Sequence, residues 1–244
     1  GSGRVALGQP ERPAHGDVPC VSQGITRHKV RDVRVAYIQS IGGASGDMLL
    51  GALLDLGLPL QTLKERLGLL NLDGYQLSTS QQIRCEVRGT KLSVDLADDN
   101  RLSPRVLLDT VGNSALPADI QVKAKQVLIA LWQAESRVHG EPQDALELEE
   151  LGTIDTLIDV VGVIIGLKEL GVKGVYASPL ILGAATPPRR PGGYSNPAPA
   201  TLELASISGA KIAPDNPLFE GAGELTTPTG AAIITSLATF QRPS

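Results

Sequence analysis

Residues 153–170 read TIDTLIDVVGVIIGLKEL, and this stretch decides the architecture that we expect for the chain. Apolar side chains occupy almost every face of it, which predicts a helix buried within a core. Short alternating strand patterns lie at 33–38, 175–178 and 180–182, and a pair of strands is predicted within 75–96. We therefore predict an α/β fold, with a mixed sheet and flanking helices in a single main domain.

Capping residues and prolines mark where the other helices begin. Ser45, Ser103 and Thr227 are good N-cap residues, and proline is tolerated in the first turn. The predicted helices follow Ser45, run from Pro59 through Leu70, follow Ser103-Pro104, and run from Leu116-Pro117 to about Val138, from Asn196-Pro197 to about Ile207 and from Thr227-Pro228 to Leu237. Residues 1–32 read as a tag remnant and a flexible arm, which leaves residues 33–244 as the folded domain.

The composition excludes several classes of function. The net charge is -4, so the chain offers no basic footprint for nucleic acid. No run of 18 apolar residues is present, and we predict no membrane span. The two cysteines, Cys20 and Cys85, lack the spacing of a thiolate zinc site. Such a low cysteine content is typical of a protein in the reducing cytoplasm.

The first candidate site is the glycine-rich turn Gly42-Gly43-Ala44-Ser45-Gly46-Asp47 ahead of a helix. Free backbone N–H groups at a helix start bind phosphate, and Gly43, Ser45 and Gly46 are the candidate contacts. Asp47 would compete for these N–H groups, or could hold a divalent cation that bridges to a phosphate. A tight turn followed by a capped helix is the simpler interpretation.

The second candidate is the buried helix itself, where Asp155, Asp159, Gly162 and Gly166 share one face. Two carboxylates on a buried helix are unfavourable unless they are paired or bind a metal. Both aspartates could instead cap backbone N–H groups, with the glycines only easing helix packing. Asp47, Asp155 and Asp159 are the candidate catalytic acids and bases.

Further candidates are the polar helix starts and a group of metal ligands. Thr153, Asn196, Thr227 and Thr229 lie at helix starts, which in α/β folds gather at the ligand-binding end of the strands. The candidate metal ligands are Asp47, His139, Glu147, Glu149 and Glu150. A solvated acidic loop at 147–150 and a helix-dipole partner at His139 are the alternatives.

Five segments in order resemble the N-terminal part of the LarC family of nickel insertion proteins. They are GASGDM at 43–48 with LGALLDLG at 50–57, AESRVHG at 134–140, ELGTIDTLIDVVG at 150–162, PAPATLEL at 197–204 and TPTGAA at 227–232. The resemblance implies insertion of Ni(II) into a pyridinium-3,5-bisthiocarboxylic acid mononucleotide during nickel-pincer cofactor biosynthesis. It also implies a C-terminal CTP-binding domain or chain that uses Mg(II) or Mn(II). We expect a homo-oligomer.

The chain departs from this family where the family has histidines. Glu147 and Glu149 stand in a His-x-His-Glu pattern, and Pro191 stands before Gly192 in a His-Gly pattern. Nickel prefers imidazole nitrogen to carboxylate oxygen, so these changes lower the expected affinity. Two functions stay open: the N-terminal half of a CTP-dependent nickel insertase, and a non-catalytic relative that binds a phosphorylated small molecule or a partner subunit. A purely structural domain is the third alternative.

Overall fold

A computed structural model describes residues 33–84, 86–97, 101–146, 151–188, 193, 195–214 and 223–243. The predicted N-terminal arm therefore lies outside the described residues. The strands are β1 (Val35–Ile38), β2 (Tyr75–Arg84), β3 (Val87–Leu96) and β4 (Gly174–Ala177). The helices are α1 (Gly46–Asp55), α2 (Leu60–Leu67), α3 (Pro104–Asn113), α4 (Ala118–His139), α5 (Ile154–Glu169), α6 (Pro199–Ser208) and α7 (Pro228–Leu237).

Helix α5 is the centre of the core, as its sequence predicts. An unbroken run from Thr156 to Gly166 is buried, and α1, α2, α4 and α7 pack around it. Gly162 and Gly166 make this packing possible, because an added Cβ would lie 3.0 Å from Leu50 Cδ2 at the first position and 2.8 Å from Leu53 Cδ1 at the second. These two glycines therefore serve helix packing, and the alternative in which they admit a ligand is not the one observed.

The strands form two separate pairs. β1 and β4 are parallel, with Val35 opposite Gly174 and Ile38 opposite Ala177. β2 and β3 form a long antiparallel hairpin, with Tyr75 opposite Leu96, and β3 packs on α1. The α/β class with mixed strand directions is confirmed. The parallel and the antiparallel strands belong to two separate two-stranded sheets.

The predicted strand at 180–182 is wrong in its extent. Leu180 pairs with Ile212 through a single bridge, and its neighbours do not continue the ladder. Pro179 precedes this position and has no N–H group to donate, which limits strand pairing there. Thr226 instead contacts the segment, since its hydroxyl donates to the carbonyl of Ile181 at 2.5 Å. None of the helices in the described ranges is long and apolar enough to cross a membrane.

Candidate functional site

A cleft of about 1440 Å³ opens where α1, α5, α6 and α7 begin. The sequence placed candidate residues at each of these helix starts, and most of them line this one space. The predicted residues in its wall are Ser45, Gly46, Asp47, His139, Asp155, Asp159, Asn196, Thr227 and Thr229. The first turn of each helix has N–H groups without intrahelical partners, so the cleft combines several partial positive charges.

The starts of α1 and α7 are tied together by backbone hydrogen bonds. Ala44 N donates to Leu225 O at 2.9 Å, and Thr227 N donates to Ala44 O at 3.0 Å. Gly230 allows the close approach, since an added Cβ would lie 2.2 Å from the carbonyl oxygen of Ala44. The Thr227 hydroxyl accepts from Gly230 N at 3.2 Å and caps α7. The two helix starts therefore form one rigid wall.

Ser45 occupies the N-cap position of α1, but its side chain does not cap the helix. Its hydroxyl donates instead to Asp47 Oδ1, and the same carboxylate oxygen accepts from Met48 N at 2.9 Å. The physical reason is that a carboxylate is a stronger acceptor than a hydroxyl, so the carboxylate takes both donors. Asp47 therefore stabilises the first turn of α1 while it lines the cleft.

Asp159 is buried, with 7% of its surface exposed, and its Oδ1 has no hydrogen-bond partner. The carboxyl lies against Gly46, where an added Cβ would be 2.2 Å from Asp159 Oδ2. Burial raises the pKa of Asp159 to about 8, and the charges of Asp155 and Asp47 add to this rise. At neutral pH the side chain therefore holds a proton in most molecules.

Asp155 lies one turn earlier and is exposed to the cleft. Partial removal from water in the cleft wall raises its pKa, and the nearby charge of Asp47 raises it further. Neither aspartate acts as the N-cap of α5, because the Thr153 hydroxyl accepts from Thr156 N at 3.4 Å in that role. The alternative in which these aspartates cap the start of α5 is therefore wrong.

Sequence reasoning missed Glu135, a buried carboxyl that also lines the cleft. His139 Nε2 lies 3.4 Å from Glu135 Oε2, one helical turn away on α4. Burial raises the pKa of Glu135, whereas the imidazole lowers it. The spacing of four residues on the apolar face of α4 was the signal available in the sequence.

Lys91 on β3 is a second lining residue that the sequence did not single out. It is exposed, and it is the one lysine or arginine among the described lining residues. This part of β3 reaches the cleft because the hairpin packs on α1, a tertiary contact that the sequence does not reveal.

Several predicted site residues take other roles in the structure. Gly43 (φ +90°) does not line the cleft and lies against Leu225 O, where an added Cβ would clash at 1.9 Å. Thr153 is likewise outside the lining and caps α5. Asn196 does line the cleft, but α6 begins later, with Ala198 as its N-cap. The side-chain amide of Asn196 connects two loops, because it donates to Ala184 O and, at 2.9 Å, to Gly223 O.

The predicted metal ligands are only partly described. Asp47 and His139 both line the cleft, whereas Glu147, Glu149 and Glu150 lie outside the described residues. Within the described ranges, no three His, Cys, Asp or Glu side chains lie close enough together to hold a metal ion.

Comparison with known proteins identifies the family. Residues 36–244 match the family model described as "Nickel insertion protein". A protein of Roseiflexus castenholzii, named as a candidate nickel insertion protein, is 44% identical over 214 residues, which cover 86% of this chain and 53% of that protein. The "Pyridinium-3,5-bisthiocarboxylic acid mononucleotide nickel insertion protein" of Desulfitobacterium hafniense is 37% identical over 207 residues, 84% of this chain and 50% of that protein.

The chain spans about half the length of the curated relatives it matches. No solved structure was found to match it. The family model covers most of the chain, and segments that resembled the family in sequence, such as 43–48 and 227–232, meet at the cleft. The chain therefore belongs to the nickel insertion protein family.

Proposed function

We propose that this chain acts as the N-terminal half of a nickel insertase. The reaction is CTP-dependent cyclometallation of a pyridinium-3,5-bisthiocarboxylic acid mononucleotide in nickel-pincer cofactor biosynthesis, and the cleft binds this substrate. The observation that carries the proposal is the meeting of several helix starts with Asp47, Asp155 and Asp159 in one cleft of a family member. The name of the Desulfitobacterium relative supports the choice of substrate.

The substrate phosphate binds at the joined starts of α1 and α7. Backbone N–H groups and the helix dipoles favour a phosphate there. Thr229 adds a hydroxyl on the same side. Lys91, on the hairpin side of the cleft, supplies a positive charge for the other anionic groups of the substrate.

The carboxyl groups supply the proton chemistry. Cyclometallation forms a nickel–carbon bond with the electron pair of a ring C–H bond, so the ring proton must pass to a base. Asp155 is the proposed base, because its carboxyl is exposed to the cleft. Partial burial and the charge of Asp47 raise its pKa, which makes the carboxylate a stronger base. Asp159 holds its proton at neutral pH and serves as a hydrogen-bond donor to the substrate.

Nickel is a substrate of this reaction, and His139 is the proposed nitrogen ligand for its delivery. The acidic residues Glu147, Glu149 and Glu150 remain proposed further ligands. CTP and its Mg(II) or Mn(II) are proposed to bind to a C-terminal part of the kind that the resemblance implies. A homo-oligomer in the cytoplasm is the proposed setting.

Isothermal titration with Ni(II) and with nicotinate mononucleotide, a pyridinium mononucleotide, tests the proposal. We expect both to bind to the chain and Asp155→Asn to leave this binding in place. The same variant should abolish nickel insertion when a C-terminal partner and CTP are supplied. If neither Ni(II) nor the mononucleotide binds, with or without the partner, the proposal is wrong.

A non-catalytic relative is the second candidate, and one observation favours it. Glu147, Glu149 and Pro191 stand where the family pattern has histidines. In this case the cleft binds a phosphorylated small molecule or a partner subunit and inserts no metal. The triple variant Glu147→His, Glu149→His and Pro191→His separates the two candidates. If the triple variant gains Ni(II) affinity and insertion activity, the natural chain is the non-catalytic relative. If the natural chain already inserts nickel, the non-catalytic candidate is excluded.

A further inference from the structure

One wall of the cleft comes from the β2–β3 hairpin. Four consecutive residues of β3, from Lys91 to Val94, line the cleft. The hairpin is a two-stranded sheet that pairs with no other strand in the described part of the chain. A two-stranded hairpin is only marginally stable by itself, so its position depends on the elements against which it packs. The main one is α1, whose first residues also line the cleft.

The hairpin is tied to the end of α1 at Thr90, the residue before Lys91. Asp55, the last residue of α1, accepts from Thr90 N at 3.0 Å through Oδ2 and from the Thr90 hydroxyl at 2.6 Å through Oδ1. The same hydroxyl accepts from Gln81 Nε2 at 2.7 Å, across the hairpin. Gly51 permits the close contact, since an added Cβ would lie 2.2 Å from Thr90 O. These three linked side chains form a clamp that holds both strands on α1.

The position of Asp55 indicates that its role lies in this clamp. A negative charge at the C-terminal end of a helix is unfavourable toward the helix dipole, so the charge of Asp55 does not stabilise α1 itself. The hydrogen bonds from Thr90 lower the pKa of Asp55, and a charged carboxylate is the stronger acceptor. Asp55 lies outside the cleft lining, so its effect on a ligand passes through Thr90 to the next residue, Lys91.

We infer that Asp55 is a positioning residue, which fixes Lys91 in the cleft wall through its two hydrogen bonds to Thr90. The role of Lys91 toward an anionic ligand rests on the proposed function, whereas the clamp can be tested without a ligand. Fixing the backbone beside Lys91 limits the region that its ammonium group can reach. Less conformational freedom is then lost when the ammonium group contacts an anion, which increases the affinity.

Hydrogen exchange of the full chain, measured by mass spectrometry, tests the clamp in the absence of ligand. Asp55→Asn leaves one acceptor oxygen for two donors, and Thr90→Val removes the hydroxyl, so both variants should speed exchange in the hairpin. Exchange in α5 should stay slow, because the core is unchanged. Thr90→Ser keeps the hydroxyl and should exchange as the natural chain does. Unchanged hairpin exchange in both Asp55→Asn and Thr90→Val would overturn the inference.

Titration calorimetry with nicotinate mononucleotide tests the link to Lys91. Asp55→Asn should weaken binding about fivefold in the natural chain and less than about twofold in the Lys91→Met background, because the two residues act through one contact. Asp95→Asn is the matched control, since this exposed carboxylate accepts from Ser78 within the hairpin, and it should bind as the natural chain does.

Equal losses from Asp55→Asn in both backgrounds would also overturn the inference, because they would show that Asp55 acts on the fold and not through Lys91. The proposed function fails in a different way. If Asp55→Asn loosens the hairpin as expected but the natural chain does not bind the mononucleotide, the clamp stands and the proposed substrate is wrong.

Discussion

Replacing Asp159 with asparagine should stabilise the protein at neutral pH. The pKa of Asp159 rises from 3.8 to about 8 in the folded chain, so the folded state holds a proton that the unfolded state releases. Stability therefore falls as the pH rises from about 4 to about 8. At roughly 1.4 kcal/mol for each pKa unit, the full penalty is on the order of 6 kcal/mol. Asparagine has nearly the same shape and cannot ionise, so it avoids this penalty.

Urea unfolding of the natural chain and Asp159→Asn, measured between pH 4 and pH 9, provides the test. The two free energies of unfolding should agree near pH 4, and the variant should become more stable by several kcal/mol at pH 8. The difference between the two proteins isolates Asp159 from every other titrating group. Asp109→Asn should show no such trend, because its carboxylate is exposed. A pH-independent difference, or a variant that is less stable at pH 8, would refute the reasoning.

Further predictions concern packing, capping and metal positioning. Gly46→Ala places a Cβ 2.2 Å from Asp159 Oδ2 and should lower the free energy of unfolding by about 1–3 kcal/mol. The same variant should bind nicotinate mononucleotide more weakly in calorimetry. Gly42→Ala adds its Cβ in open space and should change neither stability nor binding. Equal effects of the Gly42 and Gly46 variants would contradict the packing argument. Thr153→Ala removes the α5 cap and should lower the unfolding free energy by about 1 kcal/mol with unchanged ligand affinity. Glu135→Gln removes the carboxylate beside the His139 imidazole and should weaken Ni(II) binding about tenfold in titration calorimetry, and unchanged affinity would contradict a positioning role for Glu135.

The sequence predicted most helices because their signals are local. The apolar faces of α5 and the proline and threonine at the start of α7 determine these helices almost independently of the rest of the fold. The strand at 180–182 was overestimated, because an apolar run does not reveal whether a pairing partner is available. Only a single bridge from Leu180 to Ile212 is formed there.

The candidate site was predictable in outline and not in its details. Helix starts and buried aspartates are visible as sequence patterns, and these residues do meet in one cleft. The packing of the β2–β3 hairpin on α1 brings Lys91 to the cleft wall, and no local pattern specifies this tertiary contact. Asn196 was placed at a helix start by its proline neighbour, but its amide holds two distant loops together. Such long-range hydrogen bonds leave no periodic signal in the sequence.

The most direct test is a crystal structure of the chain soaked with nicotinate mononucleotide. Difference density should place the phosphate within hydrogen-bond distance of the backbone N–H groups at the starts of α1 and α7, with the ring beside Asp155 and Asp159. Density for the mononucleotide at any other surface, with this cleft filled only by water, would contradict the account.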